Sequence, residues 1–242
     1  MFRINFICIV FFITLTSFFS DARAGIDIPD ARPFGNNATV IIKGDTILFD
    51  GLITRQSEEK LVGLLRHTEI KNFSVNSMGG DVDSAIDIAE IIHERKINII
   101  VRTVCASACA NYIFPAGHKK LLGENSYLLW HGSANSPAGQ LQITSDDKKM
   151  SRNDFIRLPA FIRIKRREKD FYQKLNINPR LPFCPQLQDD YLINFPEKWF
   201  SYTPEDLEKF GIENIFYSIS ASHWVSSMRN KHVIFASYCK QE

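Results

Sequence analysis

A chain of 242 residues with 45% hydrophobic and 23% charged side chains has the composition of an ordinary globular protein. Its formal net charge of +2 leaves no electrostatic footprint for nucleic acid, and the five cations from Arg163 to Lys169 read as a solvated helix face rather than a phosphate groove. The cysteines form no C-x-x-C pair and the six histidines do not cluster, so neither a metal site nor a cofactor is expected.

Residues 1–24 read as a secretory signal peptide: Arg3, an apolar run of 14 residues from Phe6 to Phe19, then Ala22-Arg23-Ala24 as a cleavage site before Gly25. The run is short for a membrane span, an uncleaved anchor being the alternative. Cleavage leaves 242 − 24 = 218 residues, read as one domain over 25–242 with a core at 39–215 and a C-terminal extension at 216–242. An exported, periplasmic or secreted location follows. Cys105, Cys109, Cys184 and Cys239 remain in the mature chain, and in an oxidising compartment four cysteines allow three pairings. Cys105 and Cys109 are close enough in sequence to bridge a strand-to-helix corner, and pairing Cys184 with Cys239 would staple the tail.

In chain order, Thr39 to Ile42 and Thr46 to Phe49 flank Gly44-Asp45 as a hairpin or bent strand. Ser57 to Arg66 reads as a helix capped by Ser57, with Leu61, Leu64 and Leu65 as its apolar stripe. Phe73 to Asn76 is a short strand ending at a glycine pair, followed by the helix Asp83 to Arg95. Ile97 to Val104 reads as a buried parallel strand, Ser107 to Phe114 as a short buried helix closed by Gly117, and Tyr127 to Trp130 as the next strand. Asn135 to Gly139 is a loop, and Leu141 to Leu175 is mainly helical with a break at Pro159. Pro179, Pro182 and Pro185 mark an irregular stretch, and Pro204 opens a final short helix stopped by Gly211. The β-α-β-α-β order predicts an α/β fold with a mostly parallel sheet.

That order places Gly79-Gly80, Ser107 and His131 at successive strand ends on one sheet edge. A serine hydrolase needs these parts: oxyanion-stabilising backbone, nucleophile and base. Each residue alone has a plainer role, Ser107 as a helix cap, the glycines as a tight turn, His131 as a structural histidine.

The stretch from Val40 to about Ile215 resembles the Clp protease proteolytic subunit and its exported relatives in the wider crotonase-like superfamily. Ser77-Met78-Gly79-Gly80 looks like that family's Ser-Pro-Gly-Gly turn, with Met78 in place of proline, and Cys105-Ala106-Ser107-Ala108 looks like its Ala-Ala-Ser-Met nucleophile segment. The spacing 131 − 107 = 24 is close to the family's. Ile164-Lys165-Arg166-Arg167 resembles the start of the protruding "handle" helix that mediates ring contacts, and Tyr202-Thr203-Pro204-Glu205-Asp206 with Phe210-Gly211-Ile212 is similar to the closing segment.

The resemblance implies a repeated β-β-α spiral, Ser107 as nucleophile, His131 as general base, and Gly79, Gly80 and Ala108 at the oxyanion hole. The family's aspartate is less directly matched: counting back from Pro204 reaches Asn194, and counting forward from Lys165 reaches Gln186. Asp190 and Asp189 lie between and are assigned to the acid, with Asn194 as an amide alternative. The implied activity is that of a homo-oligomeric serine protease acting on short or unfolded peptides through an acyl-enzyme. No ATPase partner is expected outside the cytoplasm. Two rivals stand beside it: an inactive binding or assembly protein of the same fold, and a serine–lysine peptidase resembling signal-peptide peptidases, with Lys148 or Lys149 as base.

Overall fold

The computed structural model describes residues 25–26, 38–67, 69–141 and 150–240; the segment 1–24 read as a signal peptide and the alternative bases Lys148 and Lys149 lie outside them. β1 (Thr39–Lys43) and β2 (Thr46–Asp50) form an antiparallel hairpin around Gly44-Asp45, which decides between the hairpin and the bent strand. α1 (Arg55–His67) starts two residues earlier than the pattern predicts. Thr54 is its cap: Ser57 N donates to Thr54 Oγ1 at 3.1 Å and Thr54 N donates to Ser57 Oγ at 2.9 Å. Ser57 therefore closes a capping box from inside the first turn.

β3 (Asn72–Ser77) runs into α2 (Val82–Glu94), whose cap is Asp81, accepting from Ser84 N at 2.8 Å. One face of α2 buries Ala85, Ile86, Ile88, Ala89, Ile91 and Ile92, each large side chain worth roughly 2 kcal/mol of burial. β4 (Asn98–Ala106) is buried on both faces only at Val104–Ala106; earlier, Asn98 and Arg102 turn to the half-exposed face. There Arg102 Nη2 reaches Asp50 Oδ2 at 2.8 Å and Asn98 Nδ2 reaches Asn72 Oδ1 at 3.1 Å. A π-helical turn, Cys109–Ile113, and α3 (Phe114–Ala116) follow.

β5 (Lys120–Leu122) and β6 (Tyr127–Leu129) both pair with β4, β5 along its first half and β6 along its last three residues. α4 (Arg152–Phe155) and α5 (Pro159–Lys174) stand on either side of the break expected at Pro159, which opens α5 at a position where its missing N–H costs nothing. α6 (Tyr191–Asn194), β7 (Ser201–Tyr202), α7 (Pro204–Lys209), β8 (Ile215–Tyr217), α8 (Ala221–Asn230) and β9 (Phe235–Ala236) complete the order. α7 is capped by Thr203 as its sequence suggests but is not the last helix, since α8 follows and buries Trp224 and Met228.

The fold is α/β. Among the described residues, a seven-stranded sheet runs β1-β2-β3-β4-β5-β8, with β6 beside β5 on β4 and every pairing except β1–β2 parallel. β7 and β9 form a separate parallel pair. The segment after residue 215 is thus tied in by β8, by β9 and by the Cys184–Cys239 disulfide. Cys105 pairs with Cys109, and two disulfides fit an oxidising, non-cytoplasmic setting. Among the described residues, no helix is long and apolar enough to cross a membrane.

α5 lies along α2. Arg167 bridges Asp83 (2.9 Å) and Asp87 (2.7 Å), Arg163 reaches Asp83 at 2.6 Å, and Lys174 reaches Glu94 at 2.9 Å. Burial pushes the Asp83 carboxyl up, but the two guanidinium groups outweigh it and hold the group below its ordinary range. Part of the basic run is therefore an inter-helix clamp, and Lys165, Arg166 and Lys169 make up its other side.

Candidate active site

Parallel register brings the strand ends together. Ser77 of β3 lies beside Cys105 of β4, and Cys105 lies beside Leu128 of β6. The residues just beyond those ends are Gly79-Gly80, Ser107 and His131, so all three share one sheet edge. His131 Nε2 is 2.7 Å from Ser107 Oγ. With the ring proton on Nδ1, the hydroxyl donates to Nε2, the geometry in which a base takes a nucleophile's proton.

Ser107 sits at φ = 54°, a left-handed conformation that is uncommon for a residue with a side chain. Its backbone is held on both sides: Ser107 N donates to Leu129 O at 3.0 Å, and Asn111 N donates to Ser107 O at 2.8 Å. The Cys105–Cys109 disulfide brackets it two residues either way. The turn lifts the side chain off the end of β4, and the π-helical register that follows aims Asn111 Nδ2 at Gly132 O, 3.0 Å away.

The glycine turn packs directly under the serine. A Cβ on Gly79 (φ = 92°) would stand 2.6 Å from Ala106 O, 2.7 Å from Ala108 N and 2.8 Å from Ser107 Cβ. Gly80 bridges Ile53 through Ile53 N to Gly79 O (2.8 Å) and Asp81 N to Ile53 O (2.8 Å), a pairing that leaves the Gly80 N–H out of the ladder. Ala108 stands at a helical N-terminus, where backbone N–H groups have no intrahelical acceptor. Gly80, Ala108, Ser107 and His131 all line one cavity of about 260 Å³, walled otherwise mainly by apolar side chains including Val82, Leu141, Phe155 and Phe161.

The expected acid is not brought to the histidine. Asp189 and Asp190 are exposed at the start of α6, Asp190 Oδ2 accepts from Asn194 Nδ2 at 2.7 Å, and Asn194 is exposed too. Among the described residues, no carboxylate is hydrogen-bonded to the His131 ring. Gln186 approaches instead, buried, with Nε2 donating to the His131 carbonyl at 2.9 Å. The ring of Trp199 lies 4.2 Å from the imidazole, centre to centre. Neither contact was legible in the sequence: a lone tryptophan in a loop and a glutamine after a proline carry no pattern of their own.

Burial without a compensating carboxylate lowers the His131 pKa from 6.5 to about 4. Between those values the unfolded chain binds the proton and the folded one does not. The contribution of the neutral ring to stability is therefore complete above pH 6.5 and is lost as pH falls through about 4. The full shift corresponds to roughly 3 kcal/mol. Urea midpoints at pH 7 and pH 4.5 are expected to differ more for the wild-type protein than for His131→Gln, and equal differences would refute this assignment.

A fully buried carboxylate stands behind the cavity wall. Glu168 of α5 accepts from Ser133 Oγ at 2.6 Å, Tyr112 Oη at 2.7 Å and Asn135 Nδ2 at 2.9 Å. The sequence showed it only as one acid within a basic run. Among the described residues, no group of three His, Cys, Asp or Glu side chains is placed to hold a metal ion. Comparison with family models and with curated proteins finds no match for this chain.

Proposed function

We propose that this chain is an exported serine hydrolase that cleaves peptide bonds in short or unfolded polypeptides, on a fold of the crotonase-like kind resembling the Clp protease proteolytic subunit. The observation that carries the reading is the 2.7 Å approach of Ser107 Oγ to His131 Nε2, in a cavity that Gly80 and Ala108 also line. In this reaction Ser107 Oγ attacks the peptide carbonyl carbon while its proton passes to His131 Nε2. The N–H groups of Gly80 and Ala108 stabilise the negative oxygen of the tetrahedral adduct. His131 then gives the proton to the departing amine, and water, deprotonated by the same ring, releases the acyl group from Ser107.

Among the described residues, the cavity beside Ser107 has no charged lining residue, so an uncharged, apolar side chain next to the scissile bond is the expected preference. In the same reading α5 is the counterpart of the handle helix and would carry contacts between copies.

A second reading has an observation of its own. Among the described residues no carboxylate meets Nδ1 to fix the tautomer or support the imidazolium, as a binding module that had lost catalysis would show. A fluorophosphonate probe on the purified protein separates the two. Covalent labelling of Ser107, abolished by Ser107→Ala and slowed at least about 100-fold by His131→Ala, is expected of the hydrolase. No labelling of a well-folded protein would favour the binding module.

The lowered pKa adds a signature. The labelling rate is expected to rise with an apparent pKa of about 4 and to be flat from pH 6 upward. An inflection near 6.5 would mean that the ring is solvated or paired with an acid in solution.

A further inference from the structure

Glu168 is a buried titratable group for which the proposed chemistry has no use. It is fully buried, and no cation pairs with it among the described residues. Burying a carboxylate is costly unless its oxygens are hydrogen-bonded, and an apolar residue of the same volume would serve the core at least as well. Glu168 keeps its place through three donors, and their positions are informative. Tyr112 lies in the π-helical turn five residues after Ser107, 2.7 Å from Oε2. Ser133 follows His131 by two residues, and its hydroxyl is 2.6 Å from Oε1. Asn135 spans Oε1 (2.9 Å) and Lys165 O (3.0 Å), fastening the same loop to α5.

The two arms that carry the nucleophile and the base thus end on one carboxylate. They are also tied directly, through Asn111 Nδ2 to Gly132 O at 3.0 Å, while Tyr172 of α5 donates to Asn111 O at 2.7 Å. An amide at this position puts an N–H in place of one accepting oxygen, so Glu168→Gln takes an acceptor from the converging donors and loosens both arms at once. We propose that Glu168 is a positioning residue: acting through Tyr112 and Ser133, it holds Ser107 and His131 at reacting distance. This rests on the hydrolase reading for its consequence in rate, but not for its geometry.

The test compares Glu168→Gln, Tyr112→Phe and Ser133→Ala with the wild-type protein by fluorophosphonate labelling rate, by the ¹⁵N signal of His131 Nε2, and by thermal unfolding. Glu168→Gln keeps the shape, and Ser133→Ala removes a single hydroxyl, so the arms do not depend on one variant folding. A displacement of about 1 Å at a reacting pair costs on the order of 100-fold in rate. Glu168→Gln is expected to slow labelling 10- to 100-fold and to move the Nε2 signal toward that of a free imidazole. Ser133→Ala and Tyr112→Phe are each expected to give a part of that change, and neither to add to it in combination with Glu168→Gln. Variants that lose thermal stability but label at the wild-type rate, with an unmoved Nε2 signal, would overturn the proposal in favour of a purely structural carboxylate. If the wild-type protein is not labelled at all, the hydrolase reading fails, and the imidazole signal alone decides whether Glu168 positions the pair.

Discussion

Gly80→Ala is expected to destabilise the fold by about 3–5 kcal/mol, whereas Gly63→Ala is expected to stabilise it by up to about 1 kcal/mol. The contrast follows from what a methyl group meets. At Gly63, on the exposed face of α1, nothing lies within 4 Å of the new Cβ, and alanine is the better helix former. At Gly80 the backbone holds φ = 142°, and a Cβ would stand 2.1 Å from Ile53 O, a backbone atom of the ladder that anchors the turn. Relief requires either breaking the Ile53 bridge or moving the turn, and the turn carries an N–H assigned to the oxyanion. Chemical denaturation measures the first effect. Fluorophosphonate labelling of whatever Gly80→Ala protein folds measures the second, which is expected to fall at least tenfold. A fully stable, fully labelled Gly80→Ala protein would show that the turn relaxes freely and would remove the support it gives to the site.

The two disulfides are expected to separate stability from site geometry. Cys184–Cys239 closes 55 residues of chain, and loss of that constraint costs about 4 kcal/mol in the chain-entropy account, against about 2 kcal/mol for the four-residue separation of Cys105–Cys109. Cys184→Ala with Cys239→Ala should therefore lower the melting temperature more, yet leave labelling of the remaining folded protein unchanged. Cys105→Ala with Cys109→Ala should lower it less but slow labelling about tenfold or more, because Ser107 loses the bracket that helps hold φ = 54°. Equal labelling by both double variants would mean that the hydrogen bonds at Ser107 N and O suffice to fix the serine.

Much of the sheet edge was legible because its signals are local. The apolar stretch after Ile97, the small residues around Ser107 and the glycine pair after Asn76 each announce a strand end, and chain order alone lines them up. The hairpin at Gly44-Asp45 and the Thr203 cap of α7 were legible for the same reason. β5 was not: three residues beginning with a buried lysine carry no alternation, and Lys120 is tolerated only because its ammonium donates to Gly117 O at 2.8 Å and Glu213 O at 3.0 Å. β8 and α8 escaped because their apolar positions find partners about a hundred residues upstream, as with Trp224 Nε1 to Ser126 O at 3.1 Å. The surroundings of His131 were hidden likewise. Gln186 and Trp199 reach it through an irregular, proline-rich stretch whose path no periodicity describes. Counting residues toward an acid could reach Gln186, but not the fact that its amide meets the His131 carbonyl rather than the ring.

The Glu168 junction also has a consequence in time. A chain that emerges from its N-terminus exposes Ser107 and His131 early, but Glu168 lies 56 residues beyond Tyr112 and 35 beyond Ser133. At synthesis rates of about 5–20 residues per second, the carboxylate follows Ser133 by roughly 2–7 s. During that interval the direct Asn111–Gly132 bond acts without the shared carboxylate, so a half-made chain carries the parts of the site without their full alignment. On the proposed hydrolase reading, a chain delivered in this order stays inert toward its neighbours until α5 arrives.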